Sequence, residues 1–294
     1  MIVTNDDISL LDGTSAALGS FDGMHTAHRA LVGQAVEYAK KNGVKSAVFT
    51  FDRNTSDAKR IITVEERNAI IENMGVDILF VKTFDGGFKS MTPDKFMETY
   101  LKKCSCINAG FNFRFGSGRK GSTDDIRRFC RDNKIGCNIL PAVTENGETV
   151  SSTLIRKYLS DGNLERAKSL LGRDFSVSGT VSHGDEIGRT IGFPTMNIER
   201  SGLIIPYGVY MTETLIDGIL LPGVTNVGGK PTIRDGADRV ETHVLNYSGD
   251  AYGKKITVYF KKKLRDIVRF ETIEQLKAQL NKDVLTVLNA YKAK

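Results

Sequence analysis

Apolar positions along the chain change rhythm near residue 172. Before it, short apolar runs alternate with stretches of helical spacing. Ser15 to Gly19 is a small, apolar run that reads as a buried strand. Leu31, Ala35 and Tyr38 then follow at helical spacing, and Gly43 supplies the stop. Ser46 to Phe51, SAVFTF, reads as the next strand. Thr63 with Glu66 makes a capping-box pattern for a helix that runs to Gly75, and Val76 to Val81 is a strand. Thr92-Pro93 opens another helix, with Phe96 and Tyr100 four apart on one face. Cys106 to Phe111 as strand, Asp124 to Asn133 as a helix ending near Gly136, and Cys137 to Val143 as strand continue the alternation. Repeats of this kind predict a doubly wound α/β domain with a parallel sheet and ligands at the carboxyl ends of its strands.

Ser151-Ser152-Thr153 opens a helix carrying Ile155 and Leu159. A short helix, Leu164 to Leu171, stops at Gly172, which divides the chain into residues 1–171 and 172–294. Beyond that point short alternating runs are punctuated by Gly and Pro: Phe175 to Val181, Val209 to Leu215, Val240 to Tyr247 and Lys255 to Phe260. Such spacing predicts a small antiparallel β-barrel. A final helix starts at a Thr272/Gln275 capping box, with Ile273, Leu276, Leu280, Val284 and Leu288 as its buried stripe against the barrel.

Composition narrows the class. The 294 residues suit about two domains, and 40% hydrophobic content is that of a soluble globular chain. No run approaches the ~20 apolar residues of a membrane span, and the acidic start MIVTNDDISLLDG is not a secretory leader, so a cytoplasmic location and no membrane partner are expected. Cys104, Cys106, Cys130 and Cys137 match neither a zinc framework nor a disulfide scaffold; reduced thiols and no zinc are expected. The net charge of +6 fits polyphosphate ligands, and the scattered basic residues with no aromatic-rich RNA-binding pattern argue against nucleic acid.

The densest candidate chemistry is Gly179 to Asn197, GTVSHGDEIGRTIGFPTMN. Gly179, Gly184, Gly188 and Gly192 recur every four or five residues, Arg189 offers a planar donor for phosphate, and backbone N–H groups in such loops cradle anions. Thr195 and Asn197 are two apart, so in an extended segment their hard oxygens face one side, as partly hydrated Mg²⁺ requires. It is neither a P-loop nor a G-x-G-x-x-G turn. On the residues alone, a glycine-rich pair of β-turns fits as well as a nucleotide loop. Glu241 likewise reads either as an exposed strand carboxylate or as a general base for a hydroxyl proton. His243 shares its face by the period of two, with no role evident.

The pattern G-x-V-x-x-G-x-x-x-G-R-x-x-G-F-P-T-x-N resembles the nucleotide and magnesium loop of riboflavin kinases. GVTNVGGKPT from Gly223, VETHVLNY from Val240, GDAYGKKITVYF from Gly249 and LRDIVRF from Leu264 continue the resemblance in order. The resemblance implies that Thr195 and Asn197 hold Mg²⁺ and phosphates of ATP. It also implies that Glu241 is the base near the riboflavin 5′-hydroxyl, and that Arg265 belongs to a loop closing near flavin and nucleotide.

In the first half, FDGMHTAHRALV puts His25 and His28 at a helix start after a strand, where free N–H groups and the helix dipole favour anions. Two solvated histidines, or two donors to an attacked α-phosphate, both fit. Spacing of three rather than four argues against a zinc pair. GSFDGMHTAH resembles the H-x-G-H signature of nucleotidyltransferases, in the form found in the FMN adenylyltransferase half of prokaryotic bifunctional FAD synthetases. INAGFNFRFGSGRKG from Ile107 and VSSTLIRKYL from Val150 are similar to two further blocks of it. The resemblance implies that Asn112 and Phe113 line the nucleotide or flavin site and that Ser152, Thr153 and Arg156 grip ATP phosphates. Hydroxyls at a helix start with an arginine one turn in suit an anion on physical grounds too, although a plain N-cap fits the same run. Three positions depart from the family: Ala27 replaces the signature glycine, FDRNT (Phe51 to Thr55) lacks a Pro-His-Pro segment, and Leu154 stands where an arginine is frequent.

Together these imply a Rossmann-like nucleotidyltransferase half at 1–171 and a riboflavin kinase barrel at 172–294. ATP would phosphorylate riboflavin to FMN with ADP as by-product, and then adenylylate FMN to FAD. The departures leave one alternative: a monofunctional riboflavin kinase whose first half only binds nucleotide or flavin. Oligomeric state is not legible.

Overall fold

The computed structural model describes residues 1–52, 59–183, 187–229 and 238–292, with only the backbone for Ile187 and Arg189. Gly184, Arg53 to Thr55 and the Lys230-Pro231-Thr232 end of one family block therefore lie outside the described residues. The chain forms two compact units, Met1–Ser152 and Thr153–Lys294.

The first unit is built on β1 (Ile2–Thr4), β2 (Ser15–Leu18), β3 (Ser46–Phe51), β4 (Ile78–Lys82), β5 (Cys106–Gly110) and β6 (Gly136–Leu140), all parallel, in the order β1-β4-β3-β2-β5-β6. The order reverses at β2, so the crevice between the carboxyl ends of β2 and β5 is the topological switch point. The helices are α1 (Thr26–Asn42), α2 (Val64–Asn73), α3 (Gly86–Lys89), α4 (Pro93–Phe96) and α5 (Thr123–Asn133). A hairpin of β7 (Thr144–Glu145) and β8 (Glu148–Thr149) follows β6.

Local chemistry sets these bounds. The Thr63/Glu66 capping box is made in both directions and starts α2. Gly43 closes α1 at φ 64°, with its N–H on the Ala39 carbonyl. After α4 the chain continues as a π turn, Met97–Leu101, and the Phe96 and Tyr100 rings stay 5.5 Å apart as expected for one face. Both pack on Phe49 of β3, which also stacks on Phe80 at 5.1 Å. Two expectations shift. Strand β6 stops at Leu140 rather than Val143, because Pro141 has no N–H to continue the ladder. The end of α5 is Lys134 in the left-handed region at φ 58°, not Gly136, which already opens β6.

The second unit begins with α6 (Ser152–Ser160) and α7 (Leu164–Leu171), the latter closed by Gly172 at φ 69°. Then come β9 (Phe175–Thr180), α8 (Ile187–Thr190), β10 (Met196–Arg200), β11 (Gly208–Ile216), β12 (Ile219–Gly229), β13 (Asp238–Val244), β14 (Lys255–Arg265) and α9 (Ile273–Lys292). The strands pair antiparallel in the order β10-β13-β12-β11-β14-β9. Just beyond β9, Ser182 bridges to Asn197 of β10, its N–H 2.9 Å from the Asn197 carbonyl, which nearly closes a barrel. Gly179 is required there because a Cβ would run into Ile198. Val177, Ile198, Val227, Val240 and Val258 are buried, and the Thr212, Thr225 and Thr242 hydroxyls satisfy one another at 2.7 and 2.8 Å.

Helix α9 covers an outward face of β11 and β12, where Val287 meets Val209, Val224 and Leu245. Its expected stripe needs correction. Ile273 is exposed, and Leu276, Leu280 and Val284 are half-buried because they line an open cleft; full burial falls instead on Asp283 and Val287. The capping box is also displaced: Thr272 Oγ1 accepts from Gln275 N–H, but the Gln275 side chain turns to Glu271 N–H.

Candidate active sites

In the second unit a cleft of about 330 Å³ separates α9 from the outward side of β10, β13 and β12. Register places Asn197, Glu241 and Asn226 directly opposite one another on these three neighbouring strands, so their side chains form a row on one face. Asn226 Nδ2 donates to Glu241 Oε2 at 3.3 Å, and Arg239, two residues back on the same face, donates to Oε1 at 3.0 Å. The carboxylate is thus aimed by two neighbours. Asn197 is buried, and its Oδ1 has no hydrogen-bond partner among the described residues. Thr195 lines the same cleft two residues earlier. A buried oxygen without a partner carries a desolvation cost that a cation or donor in the cleft would remove.

The glycines here have a local cause. A Cβ at Gly188 would collide with the Phe193 carbonyl, and the Phe193 N–H returns to the Gly188 carbonyl at 2.7 Å, so the loop closes on itself. Gly192 takes φ 89°. His243 gains a structural part that its sequence position does not reveal. Its Nδ1 lies 2.8 Å from the Pro194 carbonyl, which can only accept, so Nδ1 carries the proton and holds the segment leading into Thr195. Phe193 packs edge-on to the same ring. Arg265, at the end of β14, lines the cleft and is bound to Asp283 of α9 through Nε at 3.1 Å and Nη2 at 2.7 Å. Gln279 adds a third donor to that carboxylate.

In the first unit the loop after β2 runs into α1. His25 is the N-cap: its Nδ1 accepts from the His28 N–H at 3.2 Å, so in the neutral ring Nε2 carries the proton. The two imidazoles stack with centroids 3.6 Å apart, as the spacing of three predicts. His28 Nδ1 is buried with no partner among the described residues. Burial, and then the neighbouring His25, hold the His28 imidazole well below its ordinary range, so it is neutral near pH 7. The preceding turn holds Phe21 and Met24 at positive φ, a costly conformation for buried apolar residues and one found at ligand sites. Asp22 ties this turn down: its carboxylate accepts from Ile61 N–H at 3.0 Å, and its carbonyl accepts from the Ser152 hydroxyl at 2.9 Å.

Of the sequence-derived residues, Ser152 therefore stands at the histidine turn. Asn112 and Phe113 follow β5, on the other side of the switch point, with Phe113 stacked on Phe115 at 5.6 Å. Thr153 is exposed and Arg156 half-buried on α6. Ala27 and Leu154 are half-buried. In this unit the sequence reading also leaves out Arg67. Arg67 of α2 is fully buried, and its Nη1 donates to the Phe51 carbonyl at 2.7 Å and the Thr50 hydroxyl at 3.1 Å at the carboxyl end of β3. Burial brings its guanidinium down to about 10, which leaves it charged. An arginine on a helix gives no sequence signal of this.

Comparison with known proteins matches the two parts of the chain to two families. A family model described as FAD synthetase matches residues 7–154, and one described as riboflavin kinase matches residues 171–291. The bifunctional riboflavin kinase/FMN adenylyltransferase of Escherichia coli (strain K12) is 35% identical over 287 residues, covering 94% of this chain and 92% of the relative. That of Bacillus subtilis (strain 168) is 34% identical over 286 residues, covering 91% and 89%. A solved structure from Streptococcus pneumoniae, titled a macrolide-efflux protein, superposes with a TM-score of 0.86 at 29% identity and covers 98% of this chain and 99% of its own. That title describes the Streptococcus protein; among the described residues here no helix is long and apolar enough to cross a membrane.

Proposed function

This chain belongs to the family of bifunctional riboflavin kinase/FMN adenylyltransferases, and from that premise we propose how its own residues carry the two reactions. It phosphorylates riboflavin to FMN and adenylylates FMN to FAD. A first half that only binds nucleotide or flavin, the alternative raised by Ala27, the Phe51 to Thr55 segment and Leu154, finds no support, since the relatives are named for both activities.

For the kinase, the Asn197 Oδ1 and the Thr195 hydroxyl would hold the Mg²⁺ that arrives with ATP; both are hard oxygen donors, and the Asn197 oxygen has no partner among the described residues. The Gly188–Pro194 loop, held by His243, presents backbone N–H groups to the phosphates. Glu241 accepts the proton of the flavin 5′-hydroxyl as that oxygen bonds to the γ-phosphorus and ADP leaves. Leu276, Leu280 and Val284 offer the flavin ring an apolar wall, and Arg265 stands at the cleft edge. The observation that carries this reading is the row of Asn197, Glu241 and Asn226, ending on a buried oxygen with no partner among the described residues.

For the adenylyltransferase, an FMN phosphate oxygen attacks the α-phosphorus of ATP and pyrophosphate leaves. His25 Nε2–H and His28, both at a helix start, donate to the α-phosphate oxygens as charge builds on them. Ser152, Thr153 and Arg156 grip the remaining phosphates, with Asn112 and Phe113 on the flavin or nucleotide side. We place both reactions in the cytoplasm, where ATP is supplied.

The test is to feed the chain riboflavin or FMN with Mg-ATP and separate products by chromatography. Asn197→Ala should abolish FMN formation and keep FAD formation from supplied FMN; His28→Ala should do the reverse. Wild-type kinase rates in Asn197→Ala, or wild-type FAD rates in His28→Ala, would overturn the respective assignment.

A further inference from the structure

The outer edge of the first unit's sheet holds chemistry that neither reaction uses. Cys130, one turn before the end of α5, and Cys137, on edge strand β6, line one shallow cavity of about 420 Å³ with Arg127, Arg131, Ile135 and Ile139. The turn between them is tight: Lys134 is left-handed and the Ile135 N–H returns to the Cys130 carbonyl at 2.8 Å. This folds β6 back beside the helix end, so that Cys130 and Cys137 line the same cavity from two neighbouring elements. Cys137 is half-buried, open to the cavity, while Cys130 is 1% exposed behind it.

We propose that Cys137 and Cys130 form a peroxide-reactive dithiol, with Cys137 as the attacking thiolate and Cys130 as the thiol that resolves it. The Cys137 sulfur attacks one oxygen of a hydroperoxide; the O–O bond breaks, the other oxygen leaves as alkoxide or hydroxide and takes up a proton, and Cys137 becomes a sulfenic acid. The Cys130 sulfur then attacks the Cys137 sulfur, the S–O bond breaks, and the Cys130 proton leaves with that oxygen as water. Two thiols are oxidised to one disulfide and one peroxide is reduced to an alcohol, or to water, plus one further water. Cys130 needs no access of its own to the bulk solvent, because it lines the same cavity as its partner.

The surroundings support this assignment of roles. The groups facing Cys137 are Cys130, Arg127 and Arg131 from α5 and Cys106 from β5, with Tyr38 of α1 beside Gly136. The hydrogen bond from Cys130, and after it the charge of Arg127, outweigh desolvation and bring the Cys137 thiol down to about 7. The same hydrogen bond, then burial, pushes Cys130 up. Cys104 and Cys106 are buried, which pushes them up to about 12 and about 11. The four thiols of the chain therefore divide into one reactive, one resolving and two inert.

The experiment treats the reduced full-length chain with hydrogen peroxide, quenches it in denaturant and counts thiols. Two of the four should disappear and return with dithiothreitol, and peptide mapping should join Cys130 to Cys137. In Cys130→Ser a sulfenic acid should persist on Cys137 and be trapped by dimedone; in Cys137→Ser both signals should vanish. FAD formation from supplied FMN, which uses neither residue and is carried by the same unit, reports that each variant is folded. Should Cys130→Ser fail to fold, iodoacetamide labelling of wild-type Cys137 decides: it should rise about tenfold between pH 6 and pH 8, as a thiolate midpoint near 7 requires, with Cys104 and Cys106 unlabelled. Retention of all four thiols, a link between other cysteines, or labelling of Cys137 no faster than the buried pair overturns the proposal.

Discussion

Glu241 is aimed before any substrate arrives, because Arg239 and Asn226 each hold one of its oxygens. Glu241→Gln keeps the shape and the Asn226 contact but cannot take a proton. A positioned base is worth typically ~10²–10⁴-fold, so the kinase kcat should fall by that range while FAD formation from FMN is unchanged. A loss under about tenfold would mark Glu241 as a structural strand residue. His28 supports a second prediction, on stability. Its folded pKa is depressed by burial and by His25, whereas the unfolded chain takes up that proton near 6.5. Between the two values the unfolded state binds more protons, so the stability contribution is fully present above about 6.5 and is lost as pH falls through the folded value. His28→Gln removes that titration. The drop in melting temperature of the full chain between about pH 7 and pH 5 should become shallower; an unchanged slope would assign the dependence to another group. These residues were legible to different degrees. Spacing alone placed His25 with His28, Thr195 with Asn197, and Glu241 with His243, because faces follow from periods of 3.6 and 2. Asn226 and Arg239 were not found, because what matters there is the register between strands, which no local pattern states.

Helix α9 and strand β14 are joined by the ion pair of Arg265 with Asp283, and this changes what a mutation of Arg265 reports. Asp283 is 4% exposed, so Arg265→Ala strips a buried carboxylate of its main partner and leaves only Gln279. Breaking a buried pair from one side costs about 3 kcal/mol, so the variant should melt earlier as well as lose kinase activity. Arg265→Ala combined with Asp283→Ala should recover most of the stability. If kinase activity then stays lost, Arg265 acts on substrate; if it returns, the arginine serves only to seat α9. The same element shows where pattern reading fails. The stripe Ile273, Leu276, Leu280, Val284 and Leu288 is a sound amphipathic face, but its first half faces a cleft rather than a core, and an apolar ligand wall looks the same in sequence as an apolar core. Conversely Asp283 reads as surface and is buried, because its partner comes from a distant strand. The glycines of Gly179 to Asn197 are similar: loop closure at Gly188 and the approach of Ile198 at Gly179 demand them within the protein itself. Edge strand β1 was missed because three half-exposed residues carry no period.

At the scale of the whole chain, the sequence and the packing draw the boundary in different places. Gly172 is a sound stop signal, and the riboflavin kinase model starts at residue 171, so a cut at 172 follows from local evidence. Packing divides the chain at Ser152/Thr153 instead. Helix α7 rests on β14 and β9, with Ala167, Leu170 and Leu171 buried, and Lys168 shares Asp174 with Lys261 of β14. A terminating glycine reports where a helix ends, not which core it joins, since that choice is made by contacts distant in sequence. Two fragments separate the views. Residues 153–294 retain α7 and should melt as one cooperative unit with the full-length kinase rate. Residues 172–294 lose the buried Ile155, Leu159, Leu164, Ala167, Leu170 and Leu171, each worth about 1.5–3 kcal/mol except the smaller alanine, and bare the seat of α7 on β9 and β14. That shorter fragment should melt markedly earlier and aggregate on warming, while any folded fraction still makes FMN, because Asn197 and Glu241 are untouched. Neither fragment should make FAD, lacking His25 and His28. Equal melting temperatures for the two would show that α7 adds nothing to the barrel and would restore the boundary to Gly172.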